Sequence, residues 1–559
     1  MNPNFLKSIA LTAILFLSAS LQAQVRVVVK QPVVPVLIGK SYNPVLRLDF
    51  IKEKEGNARV CNLQLSLDGD ICCAECITLY PAGRNGMIDS GHALSAGKVA
   101  KKTVVFASPV FLTQDTTSVW VSLTLGRDAQ LRHKIKVDCV SAIVDGLHAE
   151  IEHKSELKPL RLGVALRTSR MDNIHTSRIP GIATSKKKTL LAIYDARYEH
   201  SRDLQGNIDI ALNRSFDGGL TWQPTQIVLD QKKWGNLPEK FNGVSDACIL
   251  TDDRTGTIYV AGLWMHGVLD SNTGKWMENL SEASTSWNHQ WLSRGSQPGT
   301  GIKETSQFLI TKSTDDGRTW SEPQNITQQT KKPEWWLFAP APGHGITLKD
   351  GTLVFPTQGR DSQGMPFSNI TYSRDGGKTW TASNAAYTNT TECMAVELND
   401  GSIMLNMRDN RNRGNSSVNG RRICITHDLG ETWTEHPTSR NALIEPTCMA
   451  SLHKHIYIRK KEAKSILLFC NPESCRERNN MTLKVSFDDG QTWPSAHKVL
   501  LDEWGGFGYS CITSVDDETI GILYESSQAQ LVFQQIKLKE LLTNKKYHKQ
   551  QKLNQNGKC

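Results

Sequence analysis

One octad recurs five times along this chain, and it limits what the chain can fold into. It reads Ser215-Phe216-Asp217-Gly218-Gly219-Leu220-Thr221-Trp222, and it returns at Ser313 to Trp320, Ser373 to Trp380, Thr426 to Trp433 and Ser486 to Trp493. Successive starts lie 98, 60, 53 and 60 residues apart. Each octad has the chemistry of a tight turn between two strands. The Asp carboxylate accepts hydrogen bonds from N–H groups of its own turn. Glycine supplies a positive φ. Thr and Trp open the next strand, where the indole packs beneath the turn. A repeat of 53 to 60 residues holds about four strands, the content of one propeller blade.

A second element keeps step with the first. Thr189 to Tyr194, Gly256 to Ala261, Gly351 to Phe355, Gly401 to Leu405 and Ile520 to Tyr524 are short β-rich runs, and all but the last precede an octad. Five octads and a run after the fifth predict six blades, the sixth closed by the segment around Leu160 to Val164. The longest gap contains a Trp-rich stretch, Trp264 to Trp291, read as an insertion rather than a hidden blade. Phe533 to Leu542 is read as a short closing helix or strand.

Residues 24–158 lack the octad. Val25 to Val29, Val45 to Phe50, Val104 to Val110, Ser118 to Leu125 and His133 to Val140 read as strands of a separate β-sandwich. The expected fold class is all-β: a six-bladed β-propeller over 159–542, preceded by a β-sandwich over 24–158.

The ends are of a different kind. Lys7, the apolar run Ile9 to Leu17 and the small residue Ala23 form a secretory signal over 1–23. A run of nine residues is too short for a membrane span, which needs about 20. The chain is therefore expected to be exported, to the periplasm, the cell surface or the medium, with no transmembrane segment. Residues 543–559 read as a solvated basic tail. The formal net charge is +9, from 65 Lys and Arg against 56 Asp and Glu. Setting aside the five lysines of 541–559 and Lys7 leaves +3 on 24–540, which argues against a nucleic-acid partner.

Thirteen cysteines suit an exported protein without proving disulfides. Cys72-Cys73 with Cys76 hints at zinc, but no second pair or histidine cluster completes four ligands. Free thiols, or one or two disulfides in the N-terminal part, are the expectation, and no metal.

Five octads indicate a propeller and say nothing of a reaction. Chemistry has to come from residues that break the blade pattern. Arg197 and Arg408 each lie 18 residues before an octad, which puts them at equivalent strand ends and on one face of the ring. Arg178 follows the closing strand, and Arg478 precedes the fifth octad by eight residues. Converging arginines receive a carboxylate or phosphate, because a planar guanidinium binds two oxygens at once. Singly, each also fits a surface ion pair. Glu392 and Tyr509 form a second group, since a buried carboxylate beside a phenol can act as its base, although a lone strand Tyr also fits a core. Asp203, six residues after Arg197, is by itself a loop acid.

Arg178-Ile179-Pro180, the five Asp-boxes, Tyr194-Asp195-Ala196-Arg197, Asp203, Glu392, Asn406-Met407-Arg408, Arg478 and Gly508-Tyr509-Ser510 occur in this order. From about Arg161 to Glu525 the chain resembles the bacterial exo-α-sialidases of glycoside hydrolase family 33. Its N-terminal part resembles the carbohydrate-binding-like sandwich of Bacteroides-type sialidases. The resemblance implies that Arg178, Arg408 and Arg478 grip the sialic acid carboxylate and that Arg197 contacts the C4 side of the sugar. It also implies Asp203 as acid/base, Tyr509 as nucleophile, Glu392 as its base, and Glu525 as the anchor of Arg178. Trp264, Met265 and Gln358 are candidates for the N-acetyl and glycerol pockets, core packing being the alternative. The family usually has an aromatic residue where Ser177 stands, which is expected to alter local packing only.

The implied activity is retaining hydrolysis of terminal α-linked sialic acid from glycoproteins, glycolipids and oligosaccharides by a monomer, without a metal or organic cofactor. A non-catalytic sialic-acid lectin needs only the arginines, and a trans-sialidase differs only at its acceptor site.

Overall fold

A computed structural model of the chain describes residues 25–107, 110–204, 206–232, 239, 242–266, 296–302, 304–414 and 418–543. The segment expected to be a secretory signal, most of the Trp-rich insertion and the basic tail from 544 lie outside the described residues. The chain divides into two compact units.

The first unit comprises residues up to Pro32, Ser41–Ala129 and Lys134–Leu160. One sheet runs in the order Glu150–His153, Val25–Lys30, Pro44–Lys52, Thr116–Leu125, Ala74–Pro81, Ser95–Lys98. In a second sheet Ala58–Gly69 pairs antiparallel with Lys134–Val144 on one side, and with Thr103–Phe106 and Val110–Leu112 on the other. Ala58–Gly69 buries alternate residues. Leu63, Leu65 and Leu67 are buried while Gln64 and Ser66 are not, as expected of sheets with one apolar face. Cys61, Cys72, Cys73, Cys76 and Cys139 are all free thiols, so no disulfide forms among them. Among the described residues no group has the makings of a metal site.

The second unit comprises Val33–Lys40, Gln130–His133 and everything from Arg161. It is a six-bladed propeller of four-stranded antiparallel blades. The first blade is Thr176–Thr184, Leu190–Arg197, Ile208–Ser215 and Gln226–Leu229. The second, Asn242–Thr251, Ile258–His266, Gln307–Ser313 and Gln324–Asn325, encloses the insertion between its second and third strands. The third is built on Leu353–Arg360 and Pro366–Ser373, the fourth on Thr390–Glu397 and Ile403–Asp409, the fifth on Ser451–Arg459 and Glu462–Pro472. The sixth takes Ser510–Asp516, Thr519–Tyr524 and Leu531–Lys537 from the end of the chain, and Leu160–Arg167 from its beginning closes the ring. Val36–Ile38 adds a parallel strand to that closing strand. Strand Leu531–Lys537 passes into helix Leu538–Leu542, so the expected closing element is both strand and helix.

Every octad joins the third and fourth strands of a blade. Ser215 Oγ donates to Asp217 Oδ1 at 2.8 Å and accepts from the Gly219 N–H at 2.8 Å. The Thr221 N–H and hydroxyl both donate to the same carboxylate. Gly219 has φ 96°, and a Cβ there would lie 2.1 Å from the Phe533 ring. The position thus demands both left-handed backbone and absence of bulk. Trp222 meets Phe533 edge-on at 5.3 Å, so the indole seals one blade against the next. No helix among the described residues is long and apolar enough to cross a membrane.

Candidate active site

Antiparallel pairing puts the start of each blade's innermost strand beside the end of its second strand. The pair Thr176↔Arg197 shows this directly. Residues at these two places in every blade therefore share one mouth of the ring. Arg178, Asp246, Glu392 and Tyr509 come from innermost-strand starts. Arg197, Gln358, Arg408 and Glu525 come from second-strand ends.

Bulges turn several of these side chains inward. Pairing shifts register between Arg178 and Gly181, between Ser245 and Cys248, and between Thr390 and Cys393. Ile179 and Asp246 sit at φ 58° and 56°. A β-branched residue in that region is strained, and such strain gathers where a side chain has to be re-aimed. Ile179 is held there by its N–H, which donates to Glu525 Oε1 at 3.0 Å.

The resulting cavity is an open cleft of about 850 Å³, counting the solvent space at its mouth. Arg178, Asp203, Gln358, Glu392, Arg408, Arg478 and Tyr509 line it. On its floor the Tyr509 hydroxyl donates to Glu392 Oε1, and Arg408 Nη1 donates to Glu392 Oε2 and, at 3.2 Å, to the Tyr509 oxygen. Tyr509 and Glu392 are each 6% exposed. Burial and then the Glu392 charge push the phenol well above its ordinary pKa, against the pull of Arg408 and Arg478.

The arginines surround this pair. Arg178 Nε donates to Glu525 Oε1 at 2.9 Å, and its guanidinium lies 4.2 Å from the centre of the Phe507 ring and 5.4 Å from that of Tyr509. Arg478 stands 5.6 Å from the Tyr509 ring centre and donates to the Phe507 carbonyl at 2.8 Å. Burial disfavours the Arg178 charge, but Glu525 outweighs it and keeps the cation. Glu525 lies behind the cavity wall and holds the floor from below.

Arg197 also lies behind the wall. Its Nη2 donates to the buried Asp195 at 2.8 Å, and Nη1 donates to Asp203 Oδ1 at 2.6 Å. Asp203 reaches Arg178 Nη1 at 3.5 Å. Burial raises the Asp203 carboxyl, but Arg197 and Arg178 outweigh it and hold it below the usual carboxylate range. Across the cavity Gln358 Nε2 donates to Asp246 Oδ2 at 3.4 Å. Burial, then Glu392, pushes the Asp246 carboxyl up.

Not every expected residue reaches the cavity. Trp264 is fully buried in a core cluster with Ile193, Ile210 and Val244 and does not line the wall. Its strand neighbour Leu263 does, because alternate residues face opposite sides. Met265 packs behind the wall with Leu204, Leu263 and Leu337. Asp246, Arg360 and Arg413 line the cavity without having been singled out in the sequence. Ser177 accepts from Arg167 Nε at 3.3 Å and donates its N–H to Gln530 at 2.9 Å, so a small polar residue fills the place of the aromatic ring.

Residues 179–525 match a family described as BNR repeat-like domain. The chain is 40% identical over 553 residues to a sialidase of Bacteroides fragilis (strain YCH46), covering 93% of this chain and 96% of that protein. It is 31% identical over 381 residues to a sialidase of Micromonospora viridifaciens, covering 66% of this chain and 52% of that one. Among solved structures, that of the Hadza microbial sialidase Hz136 superposes with TM-score 0.81 at 34% identity, over 92% of this chain and 99% of the other.

Proposed function

This chain belongs to the sialidases, a family of glycoside hydrolases, and on that premise we propose that it releases terminal α-linked sialic acid with retention, through a covalent bond to Tyr509. The observation that carries this reading is the buried hydrogen bond from the Tyr509 phenol to Glu392, ringed by Arg178, Arg408 and Arg478.

Sialic acid bears a carboxylate on its anomeric carbon. The three guanidinium groups receive that carboxylate and hold the carbon near the phenol. A carboxylate nucleophile would be repelled by the substrate's own charge, whereas a phenol attacks as a neutral group. Tyrosine is the nucleophile in the sialidase exception to the two-carboxylate pattern. As the Tyr509 oxygen bonds to the anomeric carbon, its proton passes to Glu392. The bond to the leaving oxygen breaks, and Asp203 protonates that oxygen. A water then attacks the anomeric carbon from the vacated face and gives a proton to Asp203. The bond to Tyr509 breaks and Glu392 returns the proton. Two inversions leave the α configuration.

Asp203 has to enter the first step protonated. Arg197 and Arg178 hold it ionised in the free protein. A substrate carboxylate seated against Arg178 offsets part of that pull and raises its proton affinity. Gln358, Asp246 and the apolar Leu263 and Leu337 complete the wall, which suits the amide and hydroxyl groups of the sugar.

An NMR time course with sialyllactose tests the reading. The first product is α-sialic acid, which mutarotates later. β-Sialic acid as the first product, or no turnover, overturns it.

A further inference from the structure

The cavity carries more positive charge than one sialic acid carboxylate uses. Arg178 is matched by Glu525, Arg408 by Glu392, and Arg197 by Asp195 and Asp203. Arg478 donates to the Phe507 carbonyl and faces Tyr509. Arg360, which has partners of its own, and Arg413 also line the wall. The Arg413 guanidinium has no ion pair or hydrogen-bond acceptor among the described residues. The acids nearby are committed elsewhere. Asp409 serves Arg411, Arg422 and Arg440, and Glu445 serves Arg421. Asp361 accepts from the Gln363 and Met365 N–H groups.

Both side chains are presented from fixed backbone. Arg413 follows a single turn, Asn410–Asn412, in which the Arg411 N–H donates to the capping Asp409. Asn412 Nδ2 donates to Glu445 at 2.7 Å and to the Gly420 carbonyl at 2.9 Å, and the Arg413 N–H closes on Asn410. Arg360 ends a blade strand and donates to the Gly364 carbonyl at 2.7 Å.

We propose that Arg413, with Arg360 in the same wall, forms a second anion subsite that takes an additional acidic group of the glycan, either a sulfate ester or the carboxylate of a second sialic acid. The inference rests on the sialidase reading and deepens it. Burial, then Arg408, disfavours the Arg413 cation, with Arg478 adding to the effect and Glu392 offsetting only part of it; Arg360 is disfavoured by burial and then by Arg413. A bound anion relieves that repulsion, and the guanidinium fork matches two oxygens of a sulfate or carboxylate.

Matched substrates test this. kcat/KM is measured for α2,3-sialyl-N-acetyllactosamine with and without a 6-O-sulfate, and for α2,8-disialyllactose against α2,3-sialyllactose. In the unaltered protein at least one acidic substrate is preferred by about fivefold or more, chiefly through KM. About 0.5 M sodium chloride shrinks the preference. Arg413→Gln brings the ratio near one, and Arg360→Gln lowers it in part. A response in the sulfate arm alone assigns a sulfate, and one in the disialyl arm alone assigns a carboxylate. Ratios near one in both arms, or a preference that survives Arg413→Gln, overturn the subsite, while turnover of the unsulfated monosialyl substrates leaves the sialidase reading intact. Failure to cleave either unsulfated monosialyl substrate overturns both.

Discussion

Tyr509 and Glu525 are locked in a reciprocal pair: the Tyr509 N–H donates to Glu525 Oε2, and the Glu525 N–H donates to the Tyr509 carbonyl, each at 2.9 Å. The same carboxylate takes Arg178 Nε and the Ile179 N–H. One buried acid therefore fixes the floor and one wall of the cavity together.

Glu525→Gln keeps the size of that side chain and removes its charge. Arg178 loses its buried counter-ion and drifts from its place. The expected outcome is a fall of about 10²-fold in kcat/KM, the cost of misplacing a substrate-holding group, carried largely by KM. Steady-state kinetics on a fluorogenic sialoside checks it, with circular dichroism to confirm the fold.

Tyr509→Phe deletes one oxygen from a buried ring. Turnover falls by roughly 10²- to 10⁴-fold, while the thermal midpoint changes little because the ring still fills its site. Unchanged kcat would remove Tyr509 from the chemistry.

Arg197 and Arg178 hold the Asp203 carboxyl below its ordinary pKa. The proton donor is therefore scarce at neutral pH, and kcat/KM falls as pH rises. Arg197→Gln removes one of the two cations, so Asp203 keeps its proton to higher pH. The alkaline limb of the kcat/KM profile moves upward in this variant, although the absolute rate drops.

The Asp-boxes govern stability rather than chemistry. Asp375→Ala loses a turn cap and lowers stability by about 1 to 2 kcal/mol, with the kcat of the folded fraction retained. Hydrogen bonding from Thr379 lowers Asp375 to about 2, and Asp217, Asp315, Asp428 and Asp488 are lowered as well. Depressed carboxyl pKa values give stability that is full above the unfolded value of about 4 and is lost as pH falls through the folded values. His344, His453 and His455 are also lowered by burial. Folding keeps them neutral, so stability starts to decline below about pH 6.5, where the unfolded chain takes up their protons. Denaturant melts across this range are expected to show both phases.

The propeller was legible because an octad is a local object: Ser215, Asp217, Gly219 and Thr221 make their own turn within seven residues. The closure by Leu160–Arg167 was legible by counting blades. Val36–Ile38 was not, since a short strand pairing across more than a hundred residues leaves no local mark. Ala58–Gly69 was missed although Leu63, Gln64, Leu65, Ser66 and Leu67 alternate as a half-buried strand does. The arginines and the Tyr509–Glu392 pair emerged from their order along the chain. Asp246 stayed hidden because a bulge, not a motif, turns it inward. For Trp264 the sequence left a pocket and the core both open, because strand parity near that bulge cannot be counted from sequence, and the core is where it lies. Arg360 and Arg413 belong to no motif, and only the fold brings them to one cavity.

The central claim is that the anomeric carbon bonds to the Tyr509 oxygen. A 3-fluorosialyl fluoride tests it most directly, because its good leaving group speeds formation of the intermediate and its fluorine slows hydrolysis. Intact-mass measurement followed by peptide mapping is predicted to find one fluorosialyl group on Tyr509, decaying as activity returns. An adduct on any other residue, or rapid turnover with no adduct and β-sialic acid as first product from the natural substrate, contradicts it.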